Sequence, residues 1–395
     1  MRLPILIMII FIILNGVIDY YLFKVIRKRI SQFIYAKVYA WLSVVIALAF
    51  IVTISLPRRT GSDDSLSFIM WMLFSYFSIY IPKYIFIVCD SIAMIPCAMK
   101  KARWSWLSKT GAILGGLAFC MMWWGALINR FNIDVNEVDV PIKSLPASFE
   151  GYRIAQISDL HVGTYGEDTT YLAELVETIN NLNVDAVVFT GDIVNRNTAE
   201  LLPFVETLSR IKAKDGVYSV LGNHDYGDYS DWETPEAKEE NLKLMHRLQK
   251  QMNWNLLLNE TKFVYRGNDS IAIVGVENLG DPPFKNYGSL SNAYPEINDS
   301  NIKILLSHNP AHWERDVRNQ NDKNIALTLS GHTHAMQMSI AGISPAVLRY
   351  KYWGGLYADE NNRYLNVNIG IGEVAIPTRI GATPEITILT LRCAK

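Results

Sequence analysis

The residues best suited to chemistry are aspartates, histidines and one asparagine that follow five short apolar runs in the second half of the chain. They are Asp159 and His161, Asp192, Asn223 with His224 and Asp225, His308, and His332 with His334. Each segment alone is typical of an ordinary turn or helix cap, but five in succession predict a metal site. Oxygen and imidazole donors without thiolates suit manganese, iron, zinc or a similar divalent ion.

The apolar runs before these residues have the length of buried strands, and helical patterns lie between them. The predicted strands are 152–158, 186–190, 217–221, 271–276, 302–307, 326–330, 365–368 and 385–391, and the predicted helices are 169–181, 201–209 and 237–251. Such alternation indicates an α/β layered domain with buried sheets. Because sites in these sheets lie at the carboxyl ends of the strands, we expect the polar residues to converge there.

The first 130 residues have a different composition and predict an α-helical transmembrane region. They hold 14 Lys and Arg against 4 Asp and Glu, whereas the rest of the chain holds 23 against 34. A span needs about 20 apolar residues, and the predicted helices cover 3–23, 38–56, 66–97 and 110–128. Residues 131–150 are predicted as a connector, and residues 151–395 as the α/β domain.

Basic residues in the loops predict the orientation of these four spans. The loops after the first and third spans carry Lys24, Arg27, Lys28, Arg29 and Lys37, and Lys100, Lys101, Arg103 and Lys109. Positive residues mark the cytoplasmic side, so the α/β domain is expected outside the cytoplasm. An alternative with five spans divides the third segment between Pro82 and Lys83.

Three ionisable residues, Asp19, Lys83 and Asp90, lie within or near the spans. Such residues are functional candidates by default. They form no ordered relay in the sequence, so we expect them to lie near helix ends or to be paired.

The composition also limits the class of partner. The acidic second half argues against nucleic acid as the main partner, because phosphate backbones are bound by Lys and Arg. The four cysteines, Cys89, Cys97, Cys120 and Cys393, form no CxxC pair. A disulfide framework or a zinc site with cysteine ligands is therefore not expected.

Taken together, the five motifs resemble those of the calcineurin-like metallophosphoesterases, and specifically the bacterial membrane-anchored group with N-terminal transmembrane helices. The segments at 352–357 and 378–381, with Pro384 and Glu385, are similar to that group as well. The resemblance implies a two-sheet β sandwich flanked by helices, in four αββα layers. The chain departs from many relatives after His334, where Ala335 and Met336 replace two glycines. This difference affects the expected shape of the substrate site.

The resemblance also implies a role for each motif residue in a site with two divalent metal ions. Asp159, His161 and His334 would bind the first ion, Asn223, His308 and His332 the second, and Asp192 both. His224 would stabilise the transition state or protonate the leaving oxygen, with Asp225 orienting its ring. Arg379 is a candidate phosphate contact or a structural ion pair. The segments 226–251, 282–287 and 352–357 either select the substrate or pack the domain's own loops.

These observations predict a membrane-anchored enzyme that hydrolyses phosphoester or pyrophosphate bonds with a metal-activated hydroxide. Its substrate would be a phosphorylated small molecule or a phospholipid, since anchoring keeps the site near the bilayer. The alternative is a membrane sensor or transport component with a non-catalytic phosphoesterase-like domain. The intact set of ligands favours the enzyme. The sequence leaves the substrate, the native metals and the oligomeric state open.

Overall fold

The computed structural model describes residues 5–60, 63–280, 285–295, 299–318 and 324–394. The chain forms two compact units. One consists of residues 1–58 and 68–126, and the other of residues 59–67 and 127–395.

The first unit is built from four helices, α1 (Ile5–Arg29), α2 (Phe33–Ser55), α3 (Asp63–Ala98) and α4 (Ser105–Leu127). Among the residues that the structure describes, three segments are long and apolar enough to cross a membrane: Phe33–Ser55, Ser65–Ala98 and Ser105–Phe131. The first predicted span, 3–23, lies in α1 except for residues 3 and 4, which fall outside the described residues. Small residues allow close packing between helices in lipid, and a Cβ at Gly115 of α4 would lie 2.9 Å from the Pro82 carbonyl oxygen of α3.

Helix α3 continues through both of its prolines, Pro82 and Pro96. A helix of 36 residues extends about 54 Å at 1.5 Å per residue, which exceeds the roughly 30 Å hydrocarbon core. The structure therefore contains one long helix where the five-span alternative requires a division between Pro82 and Lys83.

The ionisable residues of the helical unit are paired, as expected. Lys83 donates to Asp19 at 2.8 Å, and Asp19 also accepts from the Tyr80 hydroxyl at 2.6 Å. Asp90 is fully buried and forms an ion pair with Arg103. Asp19 and Asp90 thus each have a cationic partner, which reduces the cost of placing a charge in an apolar environment.

The second unit contains two mixed six-stranded sheets. In chain order the strands are β1 (Asp134–Ile142), β2 (Arg153–Ile157), β3 (Ala186–Phe189), β4 (Val217–Ser219), β5 (Trp254–Leu256), β6 (Glu260–Arg266), β7 (Asp269–Gly275), β8 (Ile302–Leu306), β9 (Ile325–Ser330), β10 (Gly355–Ala358), β11 (Tyr364–Val367) and β12 (Glu385–Cys393). The first sheet has the order β1-β12-β2-β3-β4-β5, and the second β10-β11-β9-β8-β7-β6. The α-helices that the structure describes in this unit are α5 (Thr170–Asn181), α6 (Val205–Leu208), α7 (Pro235–Gln251) and α8 (Leu290–Ala293).

Alternation along the strands builds the layers of this unit. Ile154 and Val188 belong to a core shared with Ile304 and Leu329 of the other sheet. Their neighbour Val187 belongs instead to a second core, with the apolar residues of α5, α6 and α7. Because successive side chains of a strand point to opposite faces, both faces of the sheet are buried, and the predicted αββα arrangement is confirmed.

The expected connector, residues 131–150, contains a strand that is not predicted from the sequence. Strand β1 pairs in parallel with β12 over nine residues and forms the edge of the first sheet. Five of its first six residues are exposed, and three of them are acidic. The resulting pattern is less apolar than that of the buried strands, which is why it was interpreted as a connector.

Candidate metal centre

The predicted site residues follow the carboxyl ends of neighbouring parallel strands. Strands β2, β3 and β4 are adjacent in the first sheet, and β8 and β9 in the second. Asp159 and Asp192 follow β2 and β3, whereas His308 and His332 follow β8 and β9. The expectation that these side chains converge is confirmed, since they form two buried clusters of potential metal ligands.

The first cluster contains Asp159, His161 and His334, whose ligand atoms all lie within 4.8 Å of one another. His161 Nε2 is 3.2 Å from His334 Nε2, and His334 Nε2 is 3.3 Å from Asp159 Oδ1. All three residues are buried. Converging imidazole and carboxylate donors of this kind suit a divalent transition-metal ion.

The second cluster contains Asp192, His308 and His332. His308 Nε2 is 3.1 Å from Asp192 Oδ2 and 3.2 Å from His332 Nδ1. The Asn223 side-chain oxygen lies 3.1 Å from the same His308 nitrogen. Asn223 is therefore in position to act as a further ligand of this cluster.

Asp192 lies between the two clusters. Its Oδ2 atom is 3.1 Å from His308 Nε2 and 3.8 Å from His161 Nε2. Its other oxygen accepts the backbone N–H of His224 at 2.8 Å. The seven residues therefore fit a dinuclear site in which one carboxylate reaches both groups of ligands.

The pKa values within the clusters depend on burial and on the neighbouring charges. Burial alone would lower the pKa of His308. The neighbouring Asp192 carboxylate acts in the opposite direction, and that pKa is raised to about 9. Burial and the charge on His308 lower the pKa of His332 to about 4. Burial would raise the pKa of Asp192, yet the surrounding imidazoles hold it well below its usual value. The site thus stabilises ionised carboxylates, which metal ions require as ligands.

Five of the seven proposed ligands have a left-handed backbone conformation. Asp159, His161, Asp192, His332 and His334 have φ angles of 53°, 45°, 61°, 76° and 50°. Residues with a side chain adopt this conformation rarely and at a cost, and such strain accumulates at functional sites. The sharp reversals after the strands turn these side chains toward a common centre.

Glycines allow the loops of the site to approach one another. Gly191 has a φ of 99°, and a Cβ there would lie 2.5 Å from the backbone nitrogen of Gly222. A side chain at Gly191 would therefore separate the loop that carries Asp192 from the loop that carries Asn223. This contact explains why both motifs contain glycine immediately before the ligand.

His224 lies at the edge of the dinuclear cluster. Its Nδ1 donates to the Asn195 carbonyl oxygen at 2.6 Å, an arrangement that leaves Nε2 available to a substrate. The Tyr229 ring stacks on the imidazole with centroids 4.0 Å apart and an interplanar angle of 7°. The Tyr229 hydroxyl also accepts from Asn223 at 3.0 Å. In the sequence Tyr229 belongs only to the broad segment 226–251, and nothing in that segment predicts this contact.

Asp225 has a different position from the one expected. Instead of orienting the His224 ring, it accepts backbone N–H groups of Asp192, Ile193 and Gly222 at 2.8–2.9 Å. Burial and the nearby charge of Asp192 raise the pKa of Asp225 to about 7. Asp225 therefore holds the ligand loops together, and the Asn195 carbonyl orients the histidine.

Arg379 does not face the site opening. It is fully buried and donates to the carbonyl oxygens of Gly372, Ile369 and Ala382. Its guanidinium also lies 3.4 Å from His334 Nδ1. These contacts favour a structural role for Arg379 beside the predicted ligand His334, and a contact with phosphate stays a prediction.

A cavity of about 330 Å³ opens above the clusters. Asp192, Asn223, His224, His332 and His334 line it together with Tyr229, Thr333, Met336, Gln337, Tyr350, Val374 and Ile376. Ala335 and Met336 have φ angles of 50° and 48°, a conformation that glycine adopts without cost. The departure from two glycines thus places an apolar side chain, Met336, at the mouth of the site.

Both parts of the chain match known families. Residues 152–336 match the family described as calcineurin-like phosphoesterase. Residues 1–130 match the family described as probable calcineurin-like phosphoesterase, transmembrane domain.

Individual relatives occur in animals and bacteria. A transmembrane protein with metallophosphoesterase domain from Danio rerio is 31% identical over 269 residues, which cover 66% of this chain and 57% of that protein. The chain thus spans little more than half the length of this relative. An uncharacterized metallophosphoesterase of Campylobacter jejuni is 25% identical over 398 residues and covers 97% of both chains. The uncharacterized metallophosphoesterase YkuE of Bacillus subtilis is 29% identical and covers 66% of this chain and 86% of its own length.

Proposed function

We propose that this chain, which belongs to the calcineurin-like metallophosphoesterases with an N-terminal transmembrane domain, hydrolyses phosphoester or pyrophosphate bonds at a dinuclear metal site. The observation that carries the proposal is the pair of buried ligand clusters with Asp192 between them. Two bound cations would supply Lewis acidity and lower the pKa of water. The cavity above the clusters has room for a phosphoryl group together with part of its substituent.

The chain's own contribution to the reaction centres on His224. Its Nδ1 proton is held by the Asn195 carbonyl, and stacking against Tyr229 fixes the plane of the ring. The Nε2 atom is then in a position to donate a proton to the leaving oxygen or a hydrogen bond to a phosphoryl oxygen. A positioned imidazole of this kind suits both roles near neutral pH.

Metal content and hydrolysis together test this function. The full-length protein, purified in detergent, is expected to hold about two divalent ions per chain and to hydrolyse bis(p-nitrophenyl) phosphate or p-nitrophenyl phosphate. The bound metal is removed with a chelator, and manganese, iron or zinc is then added back to separate samples. A protein that binds no metal and hydrolyses neither compound would support the alternative, a sensor or transport component with a non-catalytic domain.

The location that we propose for the site is outside the cytoplasm. The basic loops after the first and third spans favour this orientation. Arg59, which follows α2, belongs to the same compact unit as the strands and donates to Asp231 at 2.6 Å. The loop before α3 and the phosphoesterase strands are therefore expected on the same side of the membrane.

Reporter fusions test the orientation. Alkaline phosphatase, which is active only outside the cytoplasm, is expected to be active when it is fused after residue 130 and inactive when it is fused within residues 100–109. Green fluorescent protein at the same positions serves as the control and should give the opposite result. A fluorescent fusion after residue 130 would contradict the proposal and place the site in the cytoplasm.

A further inference from the structure

We propose that an exposed apolar segment beside the metal centre, residues 340–348, inserts into the bilayer leaflet on its own side of the membrane. Within this segment, here named the apolar tip, Ile343 is 71% exposed and Leu348 is 89% exposed. Ile340 and Val347 are each more than half exposed. Contiguous apolar surface of this kind marks an interaction site, and a bilayer interface accepts such side chains.

Exposed apolar side chains are concentrated in two places on this unit. Among the described residues from Leu127 onward, twelve large apolar side chains are exposed. Five of them lie within residues 336–348, and four lie within residues 127–135, of which residues 127–131 belong to the last candidate span. Exposed apolar residues on a water-soluble surface are usually scattered singly, so the group within residues 336–348 needs a separate explanation.

Hydrogen bonds connect the two groups within the second unit. Asn129, two residues after the end of α4, donates to the Arg379 carbonyl oxygen at 3.0 Å. The residue after Arg379, Ile380, accepts the backbone N–H of Ser339 through its carbonyl oxygen at 2.7 Å. The apolar tip starts at residue 340, directly after Ser339. The tip therefore lies close to the point at which the chain leaves its last span, which identifies the bilayer as the partner within reach.

The backbone of the apolar tip is rigidly held with its side chains outward. Ile340 and Ile343 exchange backbone hydrogen bonds of 3.0 and 3.1 Å across a turn at Ala341 and Gly342. Both turn residues have positive φ angles, 51° and 77°, as tight two-residue hairpin turns require. The Ser344 hydroxyl fixes the base of the tip by donating to the Ala335 carbonyl oxygen at 2.5 Å. The turn and the hydrogen bond at its base therefore hold the exposed apolar side chains away from the domain.

The charges around the apolar tip also suit a bilayer. Residues 337–358 contain no Asp or Glu and two basic residues, Arg349 and Lys351. Residues 131–395 as a whole contain more acidic than basic residues. Basic groups beside an apolar segment favour contact with anionic headgroups, whereas an acidic surface would be repelled.

The position of the apolar tip has a consequence for the substrate, and this consequence rests on the proposed function. Met336 is exposed and also lines the cavity over the metal ligands. The Tyr350 ring, just after the tip, lies 5.6 Å from the His332 ring. Insertion of the tip would therefore place the mouth of the site at the headgroup level. We infer that the substrate is a lipid whose phosphoester or pyrophosphate is hydrolysed without leaving the bilayer.

Nitroxide labelling tests the insertion directly. Leu348→Cys is labelled in the full-length protein, reconstituted in vesicles with an anionic lipid, after Cys89, Cys97, Cys120 and Cys393 have been replaced by serine. Leu202→Cys is the matched control, because Leu202 is 53% exposed and lies in the segment Thr198–Phe204, outside the apolar tip. The label at 348 should collide mainly with oxygen and the label at 202 mainly with a water-soluble nickel chelate. Equal access of the chelate to both labels, or spin–spin broadening that shows contact with a second copy, would overturn the proposal.

A double substitution, Ile343→Ser with Leu348→Ser, separates the insertion from the chemistry. We expect hydrolysis of water-soluble bis(p-nitrophenyl) phosphate and the metal content to stay unchanged. Turnover of a long-chain phospholipid analogue in vesicles should fall about tenfold, because two apolar anchors are removed. An unchanged rate on the lipid analogue would contradict the inferred substrate class. Failure of the native protein to hydrolyse either compound would instead count against the proposed function.

Discussion

Replacing Asp192 with alanine is expected to abolish hydrolysis and to remove both metal ions. Asp192 Oδ2 lies 3.1 Å from a ligand of the second cluster and 3.8 Å from a ligand of the first. Without its charge, two cations would face each other with no shared anion. The loss of metal affinity should exceed the roughly 10–100-fold seen when only a hydrogen-bonding partner of a ligand is removed.

Metal analysis of three further variants makes this expectation specific. Asp159→Ala removes a ligand of the first cluster alone, so we expect it to retain one ion. Asp192→Asn preserves the shape of the side chain and the acceptor for the His224 N–H. This variant replaces Asp192→Ala in the test if the alanine variant folds poorly. Asp139→Ala, at an exposed ion pair with Arg392, should behave as the native protein. Two tightly bound ions and near-native turnover in Asp192→Ala would refute the shared role.

The order of strands and polar residues allowed the candidate site to be predicted from the sequence. Asp159, Asp192 and His332 each follow an apolar run, and the carboxyl ends of parallel strands share an edge of the sheet. Parallel pairing of β2 with β3 brings Asp159 and Asp192 to one edge of the first sheet, and packing of the second sheet against the first brings His332 to them. The pattern at the strand ends can be read from the sequence, and the structure shows the expected convergence.

Contacts that depend on tertiary structure were not predictable in the same way. Asp225 is adjacent to His224 in sequence, which suggested a direct pair, but its carboxylate is occupied by the backbone of the Asp192 loop. The Asn195 carbonyl, 29 residues before His224, orients the His224 ring, which was the role expected of Asp225. Arg379 likewise carries a charge that suits phosphate, yet it is buried against backbone carbonyls. A residue type indicates which contacts are possible, and the fold decides which of them form.

Replacing His224 with alanine is expected to lower turnover by roughly 10²–10⁴-fold, as the loss of a positioned general acid typically does. The bound metal should remain, because the two clusters and Asn223 supply the ligands without the His224 ring. His246→Ala is the matched control, since His246 lies in α7 among residues outside the cavity. Metal content and turnover are measured on the same preparations.

The choice of substrate then identifies the role of His224. If the imidazole protonates the leaving oxygen, the loss in His224→Ala should be small for nitrophenyl esters, whose leaving group is already a stable anion, and large for alkyl esters. Equal losses for both esters would indicate that Nε2 stabilises the phosphoryl oxygens instead. Tyr229→Leu, which removes the stacked ring, should reproduce part of either pattern because the imidazole loses its fixed orientation. Loss of metal from His224→Ala would exclude both roles and make the residue a ligand or a structural support.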